Sequence, residues 1–367
     1  MSSLHSPQGN LLENTLIYNF EQSLIMKKPP IFFLGLLALT FASCERVLME
    51  QDEPKNRVNV FDYLWNQVDQ NYTFFDVKGI DWDSVREVYR PKVDDGMSND
   101  SLFRVCAAML NTLRDGHTNL ISGFDVSHND SVYYKMYAEK NIDENVVILN
   151  YLTVNHHTTG SFTHNAIRDG KVAYLRYSSF SDEVSESVLK YLVKRYKNCD
   201  GMILDLRQNG GGSMSNITQL LSIFDNHKQP LYATQVKAGP GHDDFAEAVT
   251  VYAADSSLLG ANPYTKPVAV LIDRGSFSAT SYFAICTFAY DNLRLFGDYS
   301  GGGLGVPNGG VLPNGWVYRF SVTRSLAIDG QNYENGVPPD ERVLLDPAST
   351  AQGIDNVIEA AADWIMQ

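Results

Sequence analysis

The sequence predicts an α/β fold with α+β elements: an N-terminal helical bundle followed by a core built around a mostly parallel sheet. From Val58 to Leu113, apolar residues recur at the spacing of amphipathic helices. From Lys171 onwards, short apolar runs alternate with amphipathic stretches, as strands and helices do in a parallel sheet. The chain has 367 residues, of which 44% are hydrophobic and 20% charged, so it is long enough to bury such a core.

The first residues precede the predicted fold and have the layout of an export signal. Met26-Lys27-Lys28 begins a basic stretch, residues 31–41 are almost wholly apolar, and small residues follow. The apolar run is shorter than the roughly 20 residues that a membrane-spanning helix needs. We therefore predict an upstream extension over residues 1–25, a signal peptide over 26–44 and a polar tether over 45–56.

The end of this signal, Phe41-Ala42-Ser43-Cys44, resembles the cleavage box of bacterial lipoproteins. The resemblance implies cleavage before Cys44, a lipid on that cysteine and a location in the bacterial cell envelope. Acidic residues soon after the cysteine, within 45–53, hint at the outer membrane. The alternative is an ordinary secretory signal with a coincidental cysteine.

Three helices form the predicted N-terminal helical domain, residues 57–120. Their predicted bounds are from about Val58, Trp82–Tyr89 and about Ser101–Leu113. Asn99 or Asp100 is the expected cap of the third helix, and Gly116 is its expected C-terminal cap because glycine readily adopts a positive φ. His117 is then the first residue beyond a rigid helix.

The predicted core domain spans residues 121–367. Two apolar runs near its start, residues 146–149 and 151–154, resemble strands. The strands predicted next are Val172–Tyr177, Gly201–Leu206, Val268–Ile272 and Leu293–Phe296. The predicted helices are Val184–Tyr196, Ile217–Phe224, Tyr282–Ala289 and about Ile354–Ile365. Ligand sites of parallel sheets lie beyond the carboxyl ends of the strands, where the loops 209–212 and 276–281 follow.

Charge and cysteine spacing exclude several kinds of site. The formal net charge of −14 argues against a nucleic-acid partner. None of the four cysteines lies in a metal-ligand spacing, and the pair His156-His157 lacks a third ligand, so we read it as a polar turn. We therefore predict neither a metal nor another cofactor.

Two loops at the predicted sheet edge suit catalysis. Residues 273–281 are rich in small hydroxyl side chains and lead into a helix, whose partly positive N-terminus favours an oxyanion. The alternative is that these serines only cap the helix. The triglycine Gly210-Gly211-Gly212 is followed by Ser213-Met214 instead of Lys-Ser or Lys-Thr, which argues against a dinucleotide or nucleoside-triphosphate site. It remains either an oxyanion-binding loop or a flexible turn.

Four segments resemble the motifs of the tail-specific, or C-terminal processing, serine peptidases, and two of them resemble the tricorn-core branch in particular. In chain order they are Leu113–Thr118, Gly201–Gly212, Ser278–Ser281 and Tyr333–Asp340. Together they span residues 113–340 of the mature chain. The resemblance implies a ClpP/crotonase-like core, a peptide or protein substrate, and an endopeptidase with a Ser/His/Glu site between the bundle and the core.

The resemblance also implies roles for individual residues. Ser278 matches the nucleophile, His117 the general base that takes its proton, and Glu334 the acid that orients the base. The backbone N–H of Ala279, with one from Gly210 or Gly211, matches the oxyanion hole. Ser276 is the alternative nucleophile, and Asp340 is the alternative acid.

The sequence departs from the family pattern in three ways. Many members use a Ser–Lys dyad, but Gly303 stands at the lysine position, which moves the role of base to His117. Ser281 stands where a glutamate is usual. Residues 121–170 are too few for the usual PDZ module, so we expect none.

Two other functions are alternatives to the peptidase. A ligand- or peptide-binding lipoprotein without activity is the main alternative, and Ser281 fits a relaxed site of that kind. An α/β-hydrolase esterase is disfavoured, because no G-x-S-x-G elbow surrounds Ser278 and the order of His, Ser and Glu differs.

Overall fold

Pro54 is the first residue that the structure, a computed structural model, describes; the described ranges are 54–224, 227–254 and 257–367. The predicted extension, the signal peptide with Cys44 and most of the tether lie outside the described residues. Residues 54–367 pack as one unit. Within the described ranges, no helix has the length and apolar character needed to span a membrane.

The described chain opens with a helical bundle. Its helices are α1 (Arg57–Asn71), α2 (Phe75–Lys78), α3 (Trp82–Tyr89) and α4 (Asn99–Asn111). The three predicted helices are confirmed, and the short α2 is additional. The predicted cap of α4 is wrong by one or two residues, since the side chain of Ser98 accepts the N–H of Ser101. A serine just before the first turn satisfies one of its free donors.

The prediction that Gly116 ends α4 with a positive φ is wrong. Arg114 instead adopts the left-handed conformation, with φ of 49°. Glycine favours position 116 for another reason, because a Cβ there would lie 2.8 Å from Cζ of Phe277 and one of the two would have to shift. This close approach places His117, the next residue, against the segment that holds Ser278.

The remaining elements form one seven-stranded sheet, which is covered by helices on both faces, and two three-stranded sheets. The strands are β1 (Asn119–Ile121), β2 (His157–Thr159), β3 (Phe162–Ile167), β4 (Val172–Tyr177), β5 (Gly201–Asp205), β6 (Pro230–Val236), β7 (Val249–Tyr252), β8 (Val268–Ile272), β9 (Leu293–Gly297), β10 (Pro307–Val311), β11 (Val317–Ser321), β12 (Thr323–Ala327) and β13 (Glu341–Arg342). The helices are α5 (Asp130–Ala138), α6 (Glu144–Val146, continued as a π-helix over Val147–Leu152), α7 (Glu186–Arg195), α8 (Met214–Leu221), α9 (Ala279–Cys286), α10 (Pro347–Ala351) and α11 (Asn356–Ile365).

The central sheet has the strand order β13-β9-β8-β5-β4-β3-β2. Its pairs from β13 to β4 are parallel, and only β4–β3 and β3–β2 are antiparallel. The predicted mostly parallel sheet is confirmed. Because β5 and β8 are parallel neighbours, the triglycine loop and the serine loop leave the same edge side by side.

The predicted strands at residues 146–149 and 151–154 are wrong, because this segment is helical. The side chain of Asp143 accepts the N–H groups of Asn145 and Val146 and so caps the turn. Val147 and Tyr151, four residues apart, are buried on one helical face. Of the two predicted turn histidines, His157 begins β2 instead.

A hairpin of the predicted core reaches into the bundle. Strands β10 and β11 pair with each other, and β11 pairs with β1. Trp316, Tyr318 and Phe320 of this hairpin belong to the same buried cluster as Leu113. The border at residue 120 stays a prediction. Residues 112–171 contribute three strands to two sheets, and a separate PDZ-like module is not formed there.

Candidate active site

Ser278 occupies the sharp junction between β8 and α9. It lies at the N-cap position of the helix, with φ of 57° and ψ of −120°, a conformation that non-glycine residues rarely adopt. Its side chain makes no capping hydrogen bond; instead, its Oγ lies 3.0 Å from Nε2 of His117. Its own N–H donates to the carbonyl of Gly302, which helps hold the turn. The capping alternative therefore does not describe Ser278.

His117 reaches this hydroxyl from the loop after α4. Its imidazole is buried and tilts against the ring of Phe277, with 4.8 Å between ring centroids. Its backbone is fixed on both sides: its N–H donates to Oδ1 of Asp115 at 2.8 Å, and its carbonyl accepts from Nε of Arg319 at 3.3 Å. Among the described residues, Nδ1 of the ring has no hydrogen-bond partner.

The surroundings of His117 favour a neutral imidazole. Burial lowers its pKa below the ordinary value of 6.5, and the nearby carboxylate of Asp115 opposes this shift. The cations of Arg319 and Lys78 lower the pKa further, while the carbonyl of Gly305 raises it. A neutral histidine beside a serine hydroxyl can accept its proton.

Glu334 is buried nearby but does not hydrogen-bond to His117 in the described part of the chain. Its Oε1 lies 3.2 Å from Nζ of Lys78, and its Oε2 accepts the N–H of Leu304 at 2.7 Å. Burial raises the pKa of Glu334 to about 7, and the charge of Lys78 works against that rise. The structure thus brings Ser278 and His117 together and places Glu334 against Lys78. The orienting role of Glu334 stays a prediction.

Lys78 and Asp115 were missed by sequence reasoning. Lys78 ends α2, a helix too short to show a periodic pattern, and its Nζ also donates to the carbonyl of Arg114. Asp115 lies inside the motif that carries His117, two residues before it. Its position there was the only available signal, because burial of its carboxylate does not show in the sequence.

The triglycine loop lies directly against the nucleophile. A Cβ on Gly211 would stand 2.8 Å from Cβ of Ser278 and 2.9 Å from the nitrogen of Ala279. The N–H of Gly211 already donates to Oδ1 of Asn209 at 3.0 Å. In the part of the chain that the structure describes, the N–H groups of Gly210 and Ala279 have no acceptor.

The two alternative site residues are engaged elsewhere. The hydroxyl of Ser276 donates to the carbonyl of Leu206 at 2.8 Å and accepts the N–H of Asp273 at 3.0 Å. The carboxylate of Asp340 accepts the N–H of Leu295 at 2.7 Å. Both side chains therefore hold the backbone of strands or loops.

The structure accommodates the departures from the family pattern at positions 303 and 281. At Gly303, φ is 78° and a Cβ would lie 2.5 Å from Cζ of Phe277, so a lysine has no room there. Ser281 is buried, and its hydroxyl donates to the carbonyl of Ser276 and lies 2.9 Å from Oγ of Ser300. The residue that replaces the usual glutamate is thus fully hydrogen-bonded.

A cleft of about 270 Å³ opens beside these residues, on the side of Glu334. It is rich in cationic and apolar groups, and its wall includes Phe277 and helix α5. Its charged lining residues are Lys78, Arg114, Lys135, Arg274 and Glu334. The excess of cations contrasts with the acidic chain and suits a ligand that carries a negative charge.

Comparison with known proteins gives concordant matches. Residues 171–343 match the model of peptidase family S41, and residues 54–111 match the C1 domain of tricorn protease. Carboxy-terminal processing protease CtpB from Bacillus subtilis is 25% identical over 189 residues, which cover 47% of this chain and 37% of CtpB. The match to CtpA of the same organism is 23% identical and also covers 37% of that protein. The chain therefore spans little more than a third of these curated relatives.

Two solved structures extend the comparison to almost the whole described chain. Mature CPAF has a TM-score of 0.59 at 12% identity and covers 85% of this chain and 96% of its own, which supports the fold alone. The crystal structure of a candidate peptidase from Parabacteroides merdae has a TM-score of 0.79 at 35% identity, and the alignment covers 86% of this chain and 98% of that one. With the family matches in both halves, this likeness shows that the chain belongs to peptidase family S41, a family of serine-type peptidases.

Proposed function

We propose that this chain is an active serine endopeptidase that hydrolyses peptide bonds through an acyl-enzyme on Ser278. The observation that carries the proposal is the 3.0 Å contact between Oγ of Ser278 and Nε2 of His117, made at a strained helix N-cap. Strain of this kind persists where function requires it. Membership of family S41 supports the same chemistry.

His117 acts as the general base in this proposal. The Oγ of Ser278 forms a bond to the carbonyl carbon of the substrate, and its proton passes to Nε2 of His117. As the C–N bond breaks, the imidazolium returns this proton to the leaving amine, and an acyl ester remains on Ser278. Water then attacks the ester with the same base, which releases the acid product and restores the hydroxyl.

The oxyanion would be held by the N–H groups of Ala279 and Gly210. Both groups lack an acceptor among the described residues, whereas the N–H of Gly211 is engaged by Asn209. The N–H of Ala279 also belongs to the first turn of α9, where the helix dipole favours negative charge. Gly211 contributes by letting the loop approach Ser278.

Glu334 can orient His117, as the family resemblance implies, only if its carboxylate turns from Lys78 towards Nδ1 of the imidazole. Its ion pair with Lys78 and its bond from Leu304 hold it away in the arrangement described above. The substitution Glu334→Gln tests this role, because it keeps the hydrogen-bonding shape and removes the charge.

Labelling with a fluorophosphonate probe tests the nucleophile. The wild-type protein should become labelled at Ser278, and Ser278→Ala should lose both the label and casein hydrolysis. Ser213→Ala is the control, since this exposed hydroxyl lies in the neighbouring loop, and it should behave as wild type. Equal labelling of Ser278→Ala would assign the nucleophile elsewhere, and wild-type protein without turnover would favour the ligand-binding alternative.

We also propose that the mature protein is anchored in the bacterial cell envelope by a lipid on Cys44, and that its substrates are peptides or proteins. The sequence pattern at residues 26–44 supports the anchor. In cells, wild-type protein should then fractionate with membranes and incorporate labelled palmitate. Cys44→Ser should lose the label, whereas Cys106→Ser, which changes a buried cysteine of the bundle, should keep it.

A further inference from the structure

Two buried polar atoms beside the nucleophile lack hydrogen-bond partners in the described ranges. One is Nδ1 of His117, and the other is Oδ2 of Asp115. Their residues are separated by Gly116 alone, and both side chains are buried. A buried carboxylate oxygen without a partner is costly, so such an atom points to a function that outweighs the cost.

The other carboxylate buried near the imidazole, that of Glu334, is already satisfied. Lys78 neutralises one of its oxygens, and the N–H of Leu304 occupies the other. Asp115 has no cation within ion-pair distance among the described residues. Its Oδ1 accepts the N–H of His117 at 2.8 Å, and its carboxylate also interacts with the hydroxyl of Tyr72, a neutral group. Of the two carboxylates, Asp115 is the one whose charge remains available to the imidazole.

We propose that Asp115 is the positioning residue of the catalytic histidine. Its Oδ1 fixes the turn that aims Nε2 of His117 at Ser278, and its negative charge stabilises the imidazolium that forms when Ser278 attacks. This inference rests on the proposed function, and it assigns to Asp115 the electrostatic part of the role that the family resemblance gives to Glu334.

The groups around the imidazole explain why this charge matters. Burial already disfavours the imidazolium, and Asp115 is the foremost charge that favours it. The other ionisable side chains around Asp115 and His117 are Tyr72 after α1, Lys78 of α2, Arg114 next to Asp115, Arg319 of β11 and Glu334. The cations of Arg319 and Lys78 oppose the imidazolium. Burial, with contributions from Asp115 and Glu334, also raises the pKa of Tyr72, so its phenol stays neutral.

The substitution Asp115→Asn separates charge from shape, because an amide oxygen can still accept the N–H of His117. Loss of the charge should lower the pKa of His117, so the acid limb of kcat/KM should move to lower pH by about one unit. The plateau of kcat/KM should fall at least about tenfold. Asp115→Glu keeps the charge and should restore the limb towards its wild-type position.

A matched control exists on the surface. Oδ1 of Asp94 accepts the N–H of Gly96 at 2.8 Å, the same two-residue turn that Asp115 makes with His117. Asp94 is exposed, so Asp94→Asn should change neither the acid limb of kcat/KM nor its plateau value. If Asp115→Asn is too unstable to assay, Asp115→Ser offers a shorter uncharged acceptor for the same N–H.

A readout independent of turnover completes the test. In the inactive Ser278→Ala background, the imidazole of His117 can be titrated by NMR, with its signal assigned from His117→Gln. Asp115→Asn should lower this pKa, whereas Glu334→Gln should move it less. An unchanged imidazole pKa in Asp115→Asn, or a larger shift in Glu334→Gln, would overturn the proposal, even if the wild-type protein proves to lack peptidase activity for another reason.

Discussion

Gly211 lies so close to Ser278 that a Cβ on the glycine would stand 2.8 Å from the Cβ of the serine. The same Cβ would lie 2.6 Å from the carbonyl oxygen of Phe277, and Gly211 has a φ of 96°. Neighbouring Gly210 has no atom within 4 Å of its Cβ direction. Position 211 therefore has no room for a side chain, whereas the adjacent position 210 does.

Gly211→Ala should lower kcat/KM at least about tenfold, because the backbone shift that relieves the clash displaces the catalytic hydroxyl. Gly210→Ala keeps its N–H and meets no atom, so its activity should stay within about threefold of wild type. Steady-state kinetics of both variants with one peptide substrate make the comparison. Equal losses would show that the loop does not support Ser278 in the way described.

The pH dependence of catalysis should reflect the buried imidazole. The base must be neutral to accept the proton of Ser278, and burial lowers the pKa of His117 below 6.5. As the pH falls, the imidazole therefore stays neutral to a lower pH than an exposed histidine would. We expect the acid limb of kcat/KM to lie below pH 6.5, with thermal unfolding measured at each pH as the control. An acid limb of kcat/KM above pH 6.5 would contradict the inference that burial lowers the pKa of His117.

Removal of Lys78 should destabilise the protein in a pH-dependent way. Lys78→Met leaves Glu334 buried without its cation, which costs about 3 kcal/mol when the carboxylate is ionised. With Lys78 in place the pKa of Glu334 is about 7, so the ion pair stabilises the wild-type protein at pH 8, where the carboxylate is ionised, and much less at pH 5, where it is protonated. The loss of stability in Lys78→Met should therefore be larger at pH 8 than at pH 5. Urea unfolding at both values measures the difference.

The double variant Lys78→Met/Glu334→Gln is the control for that experiment. Without either charge, the free energy of unfolding should recover relative to Lys78→Met, and its extra loss at pH 8 should disappear. A loss of equal size at pH 5 and pH 8 in Lys78→Met would mean that packing of the lysine stem, and not the ion pair, carries the effect.

A lysine should not restore a Ser–Lys dyad at position 303. The ring of Phe277 fills the direction of a side chain there, and the φ of 78° adds strain. We expect His117→Ala/Gly303→Lys to remain as inactive as His117→Ala in a peptide assay. Since the clash begins at Cβ, Gly303→Ala and Gly303→Lys should lower the melting temperature by similar amounts. Recovery of turnover in the double variant would refute the steric argument.

The apolar runs of the sequence predicted the strands of the mostly parallel sheet. The approach of His117 to Ser278 was implied by the resemblance of their segments to the family motifs. The partner of Glu334 was not predictable in this way. Lys78 ends a four-residue helix far from it in the chain, and only packing brings the two charges together.

Two wrong predictions of local structure also have physical causes. Residues 146–149 are apolar and the first three are β-branched, which favours a strand. The cap from Asp143 and the burial of one helical face instead favour a helix. Gly116 was assigned to a helix end, because close contact with Phe277 does not show in the sequence. A glycine in a sequence indicates that the backbone can adopt unusual conformations. It does not show whether a positive φ or a lack of room for a side chain is the reason for the glycine.

The hairpin of β10 and β11 has a consequence for folding. Trp316 and Phe320 complete the interior of the helical bundle, although they belong to the second half of the chain. A fragment that begins at residue 121 would leave both rings in water, and a fragment that ends before them would lack part of its interior. The helical bundle that carries His117 and the sheet that carries Ser278 should therefore unfold in one cooperative transition. Neither half of the chain should stay folded on its own.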